Sequence, residues 1–215
     1  MGEFSFLNKL IIWAVPVLFA ITVHEVAHGW VAARLGDLTA RNMGRLTLNP
    51  LKHIDPLGTV ALPLLLLMVS NFVFGWAKPV PVNWNNLGNP RRDMALVALA
   101  GPGANFIMML LWFFLAKVIT LSGMESAMIA RFIIYMCSAG IIINIVLMVL
   151  NLLPLLPLDG GRILAALLPA NISVNFSKLE PYGLIIILVL LATGILGKIL
   201  WPPIKLISSF IYSLI

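Results

Sequence analysis

Four long apolar runs, residues 10–33, 94–116, 132–150 and 182–200, set the pattern of the chain. Each has the roughly 20 residues that a helix needs to cross the hydrocarbon core of a bilayer. A fifth run, residues 57–76, is long enough but contains Pro63, Asn71 and Gly75, with Gly58 near its start. Polar or turn-rich stretches separate the runs. Residues 37–56 carry Gly44, Pro50 and Pro56 around the alternation Arg45-Leu46-Thr47-Leu48, which predicts a short strand. Residues 77–93 open with Lys78-Pro79-Val80-Pro81-Val82, an extended segment because proline and the residue before it disfavour helix. Residues 152–161 are broken by Pro154, Pro157 and Gly160-Gly161. After Trp201-Pro202-Pro203 the tail, residues 204–215, is too short to span and is expected at the membrane interface.

Composition sharpens this into a polytopic membrane protein. The 215 residues are 61% hydrophobic and 10% charged, with a mean hydropathy of +1.04, whereas a soluble domain carries roughly a quarter charged residues. A single membrane domain over residues 1–215 is expected, with no soluble module and no internal repeat. The excess of 14 Lys+Arg over 8 Asp+Glu is scattered between apolar runs rather than gathered in a stripe, so it points to orientation in the bilayer and not to nucleic acid. The lone Cys137 offers neither a disulfide nor a cysteine metal site. Lys9, the apolar run after it and Ala32-Ala33 imitate a signal peptide, but the run exceeds a signal core and contains His24, Glu25 and His28.

Those three residues carry the chemistry. His24-Glu25-Val26-Ala27-His28 matches H-E-x-x-H on an expected helix, where residues four apart share a face and two imidazoles can bind one zinc ion. Glu25 is then placed as general base toward water activated by the metal. Ionisable residues in a spanning helix each cost roughly 2.5–3.5 kcal/mol on insertion scales, so a cluster of three marks a functional site. A catalytic zinc takes three protein ligands and leaves a fourth position open. The remaining candidates are His53 and the other acidic residues. Asp159 stands out among them because residues 151–162, Asn-Leu-Leu-Pro-Leu-Leu-Pro-Leu-Asp-Gly-Gly-Arg, are too apolar for a surface loop and too proline-rich for a plain helix. Irregular backbone at membrane depth is tolerated only where it is buried in protein or lines a wet cavity.

The stretches His24–His28, Ala100-Gly101-Pro102-Gly103-Ala104-Asn105 and residues 151–162 resemble, in order, the three signature motifs of the site-2 proteases. These are zinc metalloproteases that cut transmembrane segments within the bilayer. The resemblance covers residues 21–162 and implies one Zn2+ per chain held by His24, His28 and Asp159, with Glu25 as catalytic base and Asn151 lining the site. Unlike larger members, the chain has no room for a PDZ domain, and the apolar run 57–76 separates the first two motifs.

Geometry then constrains topology. His28 and Asp159 reach one ion only if an even number of crossings separates them, and the runs 94–116 and 132–150 already supply two. Residues 57–76 are therefore expected as a re-entrant segment that enters and leaves on one side, with Pro63 as the natural break. Arg34, Arg41, Arg45, Lys52, Lys78, Arg91 and Arg92 then all fall on the side of the active site, which is expected to be cytoplasmic, with the loops at Arg45 and Asn86 in the same compartment.

The expected fold is thus all-α: four transmembrane helices, one re-entrant segment and small β-strands at the cytoplasmic face, ending in a C-terminal helix and interfacial tail over residues 180–215. The expected protein is an integral membrane protease in the plasma membrane of a prokaryote, with the lipid bilayer and transmembrane proteins as its partners. Gly101, Pro102 and Gly103 read first as close-packing positions. Asn105 reads equally as a support for the site and as a bridge between helices, and Asn151 as a stabiliser of an oxyanion. Arg162 reads as a charge partner for its loop, His53 as a loop residue, and Lys78–Val82 equally as a strand edge for substrate and as a loop packed on the membrane surface. The rivals are a zinc transporter, which would want a file of polar residues across the membrane, and a proteolytically silent homologue that binds membrane proteins.

Overall fold

The computed structural model describes residues 4–61, 65, 75–124 and 127–215. The described residues contain eight α-helices: α1 (Phe6–Arg34), α2 (Thr39–Asn42), α3 (Pro90–Leu121), α4 (Met128–Asn151), α5 (Asp159–Leu167), α6 (Ala170–Ser177), α7 (Gly183–Ala192) and α8 (Ile195–Ser213). Helices α1, α3 and α4 extend beyond the expected runs at both ends, and at the N-termini of α1 and α3 polar caps lie outside the apolar stretch. Ser5 accepts from Asn8 N at 3.3 Å to start α1. Asn89 accepts from Arg92 N at 3.3 Å to start α3, with Pro90 at the first helical position, where its missing N–H costs nothing.

These three helices pack on one another and form the frame. Helix α3 is antiparallel to both others, since it meets α1 through His28 and Val97 and α4 through Asn105 and Asn144. The ends at Arg34, Pro90 and Asn151 therefore lie on one side of the bundle. Aromatic and aliphatic side chains such as Trp13, Phe19, Phe106, Leu111 and Phe114 are exposed around it, as expected of a surface that faces lipid. All three helices are long and apolar enough to cross a membrane.

The fourth crossing differs from the sequence reading. The run 182–200 is not one helix: α7 stops at Ala192, and Gly194, at φ +72°, caps it before α8 begins. The fourth stretch long and apolar enough to cross is Ala170–Ala192, which comprises α6, a 3-10 turn at Glu180–Tyr182 and α7. Helix α8 continues through Pro202 and Pro203, where a stop was expected. Its Ile204 and Ile211 are buried in a cluster with Met109, Phe113, Ile141 and Ile145, and this packing on α3 and α4 outweighs the helix bonds the prolines forfeit. Ile204 and Ile211 of the tail thus pack on the bundle.

No residue among those described forms a β-strand, which corrects the expectation of small strands. The backbone groups a ladder would use are committed elsewhere. The Thr47 carbonyl lies 2.9 Å from His53 Nε2, the Lys78 and Pro79 carbonyls accept from the Arg45 guanidinium at 3.0 and 3.3 Å, and Pro79 and Pro81 have no N–H to give.

The segment expected to be re-entrant lies mostly outside the described residues. At its ends, Trp76 N donates to Gly58 O at 3.1 Å and Thr59 Oγ1 to Trp76 O at 2.8 Å. The stretch after α1 and the stretch before α3 are also tied together. Gly88 N donates to Leu35 O at 3.2 Å, and the buried Asp37 carboxylate accepts from Asn83 N, Asn86 Nδ2, Thr39 N and Thr39 Oγ1. Burial alone would raise the Asp37 pKa, but these hydrogen bonds together hold it below the usual carboxylate range.

Candidate metal centre

Little more than one turn of α1 separates His24 from His28, so both imidazoles leave the same face of the helix, toward α3. Asp159 opens α5, and the loop that delivers it is held by contact with two glycines. A Cβ on Gly160 would strike the Leu152 and Leu153 carbonyls, and one on Gly161 would lie 2.5 Å from the Leu155–Leu156 peptide. The Asp-Gly-Gly sequence thus lets the irregular chain of residues 152–158 fold back against the start of α5.

The three side chains converge, and among the described residues they are the one group of His, Cys, Asp or Glu placed to hold an ion. His24 Nε2 and His28 Nε2 are 3.1 Å apart, and each is 3.3 Å from Asp159 Oδ2. A tetrahedron with ligands 2.0–2.1 Å from its centre has edges of about 3.3–3.4 Å, so the spacing is that of three ligands around zinc.

The hydrogen bonds behind the rings fix their protonation. His28 Nδ1 lies 2.7 Å from the Val97 carbonyl, which can only accept, so Nδ1 carries a proton and, in the neutral ring, Nε2 presents the lone pair. His24 Nδ1 lies 2.6 Å from Asn105 Oδ1 and is set in the same way. Two ring lone pairs and a carboxylate oxygen then face one point, and the buried Asp159 Oδ2 has no hydrogen-bond partner. Three acceptors without a shared proton repel one another unless a cation lies between them, and this donor set of two imidazoles and a carboxylate suits zinc. Gly101 of α3 leaves the room: a Cβ there would lie 2.5 and 2.6 Å from His24 Cε1 and Nε2 and would also meet His28 Nε2. Gly101 thus faces the imidazoles, whereas a Cβ on Gly103 would meet nothing within 4 Å.

Glu25, beside the first imidazole, lines an open cavity of about 520 Å³ that includes His24, His28 and Asp159. Its Oε2 accepts from Val80 N at 2.7 Å, the sole backbone N–H in Pro79-Val80-Pro81. Val80 is seated on α1 because Gly29 has no side chain; a Cβ there would lie 2.5 Å from Leu46 and 2.7 Å from Val80. With that N–H given to Glu25, and the Lys78 and Pro79 carbonyls to Arg45, the segment forms a wall of the cavity and keeps few groups for pairing with another strand.

The other residues singled out from sequence divide clearly. Asn151 lines the cavity, and one of its amide hydrogens goes to Leu147 O at 3.0 Å. Asn105 is fully buried, with its Oδ1 2.6 Å from His24 Nδ1 and its Nδ2 donating to Asn144 Oδ1 at 2.9 Å. Arg162 pairs with Glu180 at 2.6 Å and lies 5.1 Å over the Trp84 ring, at the rim. His53 is buried in its own loop, away from the triad. Asn144, Val80 N–H and the Val97 carbonyl were missed. A buried amide in an apolar run was a readable signal for Asn144, whereas backbone groups leave none in a sequence.

Comparison with known proteins agrees with this geometry. The profile of Peptidase family M50 matches residues 115–193. YwhC of Bacillus subtilis (strain 168), which carries a zinc metalloprotease name, is 42% identical over 191 residues, covering 87% of this chain and 83% of YwhC. Rip2 of Mycolicibacterium smegmatis, named likewise, is 29% identical over 195 residues, 90% of this chain and 71% of Rip2. No solved structure matches the chain significantly. The extent of the likeness to YwhC, together with four apolar helical stretches around an imidazole and carboxylate cluster, shows that this chain belongs to Peptidase family M50, the intramembrane zinc metalloproteases of the site-2 type.

Proposed function

We propose that His24, His28 and Asp159 are the zinc ligands, that Glu25 is the general base, and that the substrates are transmembrane segments cut at the cytoplasmic side. The observation that carries this reading is the convergence of two lone-pair nitrogens and a partnerless carboxylate oxygen at tetrahedral spacing. Zinc, when bound, polarises the scissile carbonyl and makes water nucleophilic near neutral pH. Glu25 takes the proton from the attacking water and delivers it to the leaving amine. The Val80 N–H fixes Oε2 and leaves Oε1 for that transfer. Asn151 spends one amide hydrogen on Leu147 O and has the other for the oxyanion. The cavity walls, with Trp76, Ala77, Val82, Trp84, Leu184 and Ile187, suit the apolar side chains of a membrane helix that has unwound locally.

The test is zinc content and cleavage together. Purified wild type should hold about one zinc per chain, and His24→Ala or His28→Ala should lose most of it. Membranes from cells with wild type, but not with Glu25→Gln, should contain cut fragments of membrane proteins. Full zinc occupancy in both histidine variants would overturn the ligand set.

The same reading makes residues 57–76 re-entrant, supported by the hydrogen bonds that join Gly58 to Trp76 and Asp37 to Asn83 and Asn86. The basic residues on this side make it cytoplasmic. Arg45 is buried on Lys78 O, so single cysteines belong at the exposed Met43 and Asn85, in a Cys137→Ala background. Both should resist an impermeant thiol reagent in intact cells and react once the membrane is opened. Labelling of one alone in intact cells contradicts the re-entrant path.

A further inference from the structure

We propose that Asn144 is a positioning residue for the metal centre, acting through Asn105 to fix which ring nitrogen of His24 faces the ion; this rests on the ligand assignment above. A primary amide is nearly symmetric in shape. Turned over, Asn105 would present its NH2 to His24 Nδ1, and the ring proton would move to Nε2, where it blocks the ligand position. Two acceptors prevent the turn: Asn105 Nδ2 donates to Asn144 Oδ1 at 2.9 Å and, at the longer distance of 3.3 Å, to Ala20 O. Asn144 has the same ambiguity, resolved by its own Nδ2, which donates to Gly140 O at 2.8 Å.

The chain of polarity thus starts at a backbone carbonyl of α4, which can only accept. It passes through two amides and ends with the lone pair of His24 Nε2 turned to the ion. Asn105 and Asn144 are both fully buried, so water cannot stand in for either. A role as interhelical glue alone would need the Asn105–Asn144 bond but not the direction of the whole chain. Groups that hold a metal-ligating histidine in place typically matter 10–100-fold in metal affinity.

The experiment measures zinc affinity of the full-length, detergent-solubilised protein by competition with a chromophoric chelator, beside thermal unfolding of the zinc-free forms. Asn144→Leu, which leaves Asn105 Nδ2 only the longer bond to Ala20 O, should weaken zinc binding about 10-fold, the lower end of that range. Asn144→Ser, too short to reach Asn105 but able to keep the Gly140 bond, carries the same expectation and covers the case in which the leucine variant does not fold. Wild-type affinity in Asn144→Leu with only its unfolding temperature lowered would overturn the proposal. His24→Ala is measured alongside: zinc retained there overturns the ligand assignment itself, a result separable from failure of the relay.

Discussion

Glu25→Gln should yield a protein that folds, holds zinc and does not cut. The exchange is nearly isosteric, and the glutamine carbonyl can still accept from Val80 N–H, so the wall formed by residues 79–82 stays seated on α1. The other end of the side chain changes its chemistry. It becomes an NH2, which cannot take a proton from water or hand one to a leaving amine. General acid–base groups typically contribute about 10²–10⁴-fold, and here one group serves both proton transfers, so the loss should lie at the upper end of that range or beyond. Neither imidazole is touched, and Glu25 makes no contact that holds either ring, so zinc content should stay near one per chain. The measurement pairs metal analysis with cleavage of a transmembrane substrate identified by the wild-type fragments. Turnover within tenfold of wild type would remove Glu25 as the base. Loss of zinc with loss of cleavage would instead make it part of the metal site.

Much of this cluster was legible because its residues are constrained by chemistry that sequence records directly. The four-residue spacing of His24 and His28 is a statement about one helix face, and Asp159 is conspicuous because a carboxylate in an apolar, proline-broken stretch needs a partner. The three frame helices were legible for the same kind of reason, since the bilayer sets their length. What escaped the sequence depends on contacts between distant segments. Helix α8 passes through Pro202-Pro203 because Ile204 and Ile211 find a buried cluster on α3 and α4, which no local propensity reveals. The alternation at residues 45–48 and the proline-spaced segment 78–82 have strand character, yet Arg45 and His53 take the carbonyls a ladder would need. Asn105 was ambiguous between two roles, because a primary amide has enough donors and acceptors to meet a ring and bridge two helices at once.

Gly101→Ala should cost the protein its zinc while leaving the bundle intact, an outcome opposite in sign to the usual effect of this exchange. Inside a helix, alanine is favoured over glycine by roughly 0.5–1 kcal/mol, so α3 itself gains. The added methyl, however, would lie 2.5 Å from His24 Cε1 and 2.6 Å from Nε2 and would meet His28 Nε2 as well. A free ring could swing aside at little cost. These two cannot, because Asn105 Oδ1 and the Val97 carbonyl hold their Nδ1 atoms at 2.6 and 2.7 Å, and both acceptors sit on the same helix as the new methyl. If α3 backs away to make room, it carries those acceptors with it, and the rings lose their orientation. If it stays, the methyl separates the nitrogens from the carboxylate. Either way the three-ligand geometry is lost, and zinc affinity should fall by at least about 100-fold, more than removal of an outer hydrogen bond causes. Gly103→Ala is the matched control two residues along, where a methyl meets nothing within 4 Å, and it should bind zinc as wild type does. Chelator competition on both variants, with thermal unfolding of the zinc-free forms, decides the matter. Gly101→Ala binding zinc within threefold of wild type would mean that the imidazoles do not occupy the position on which the metal centre depends.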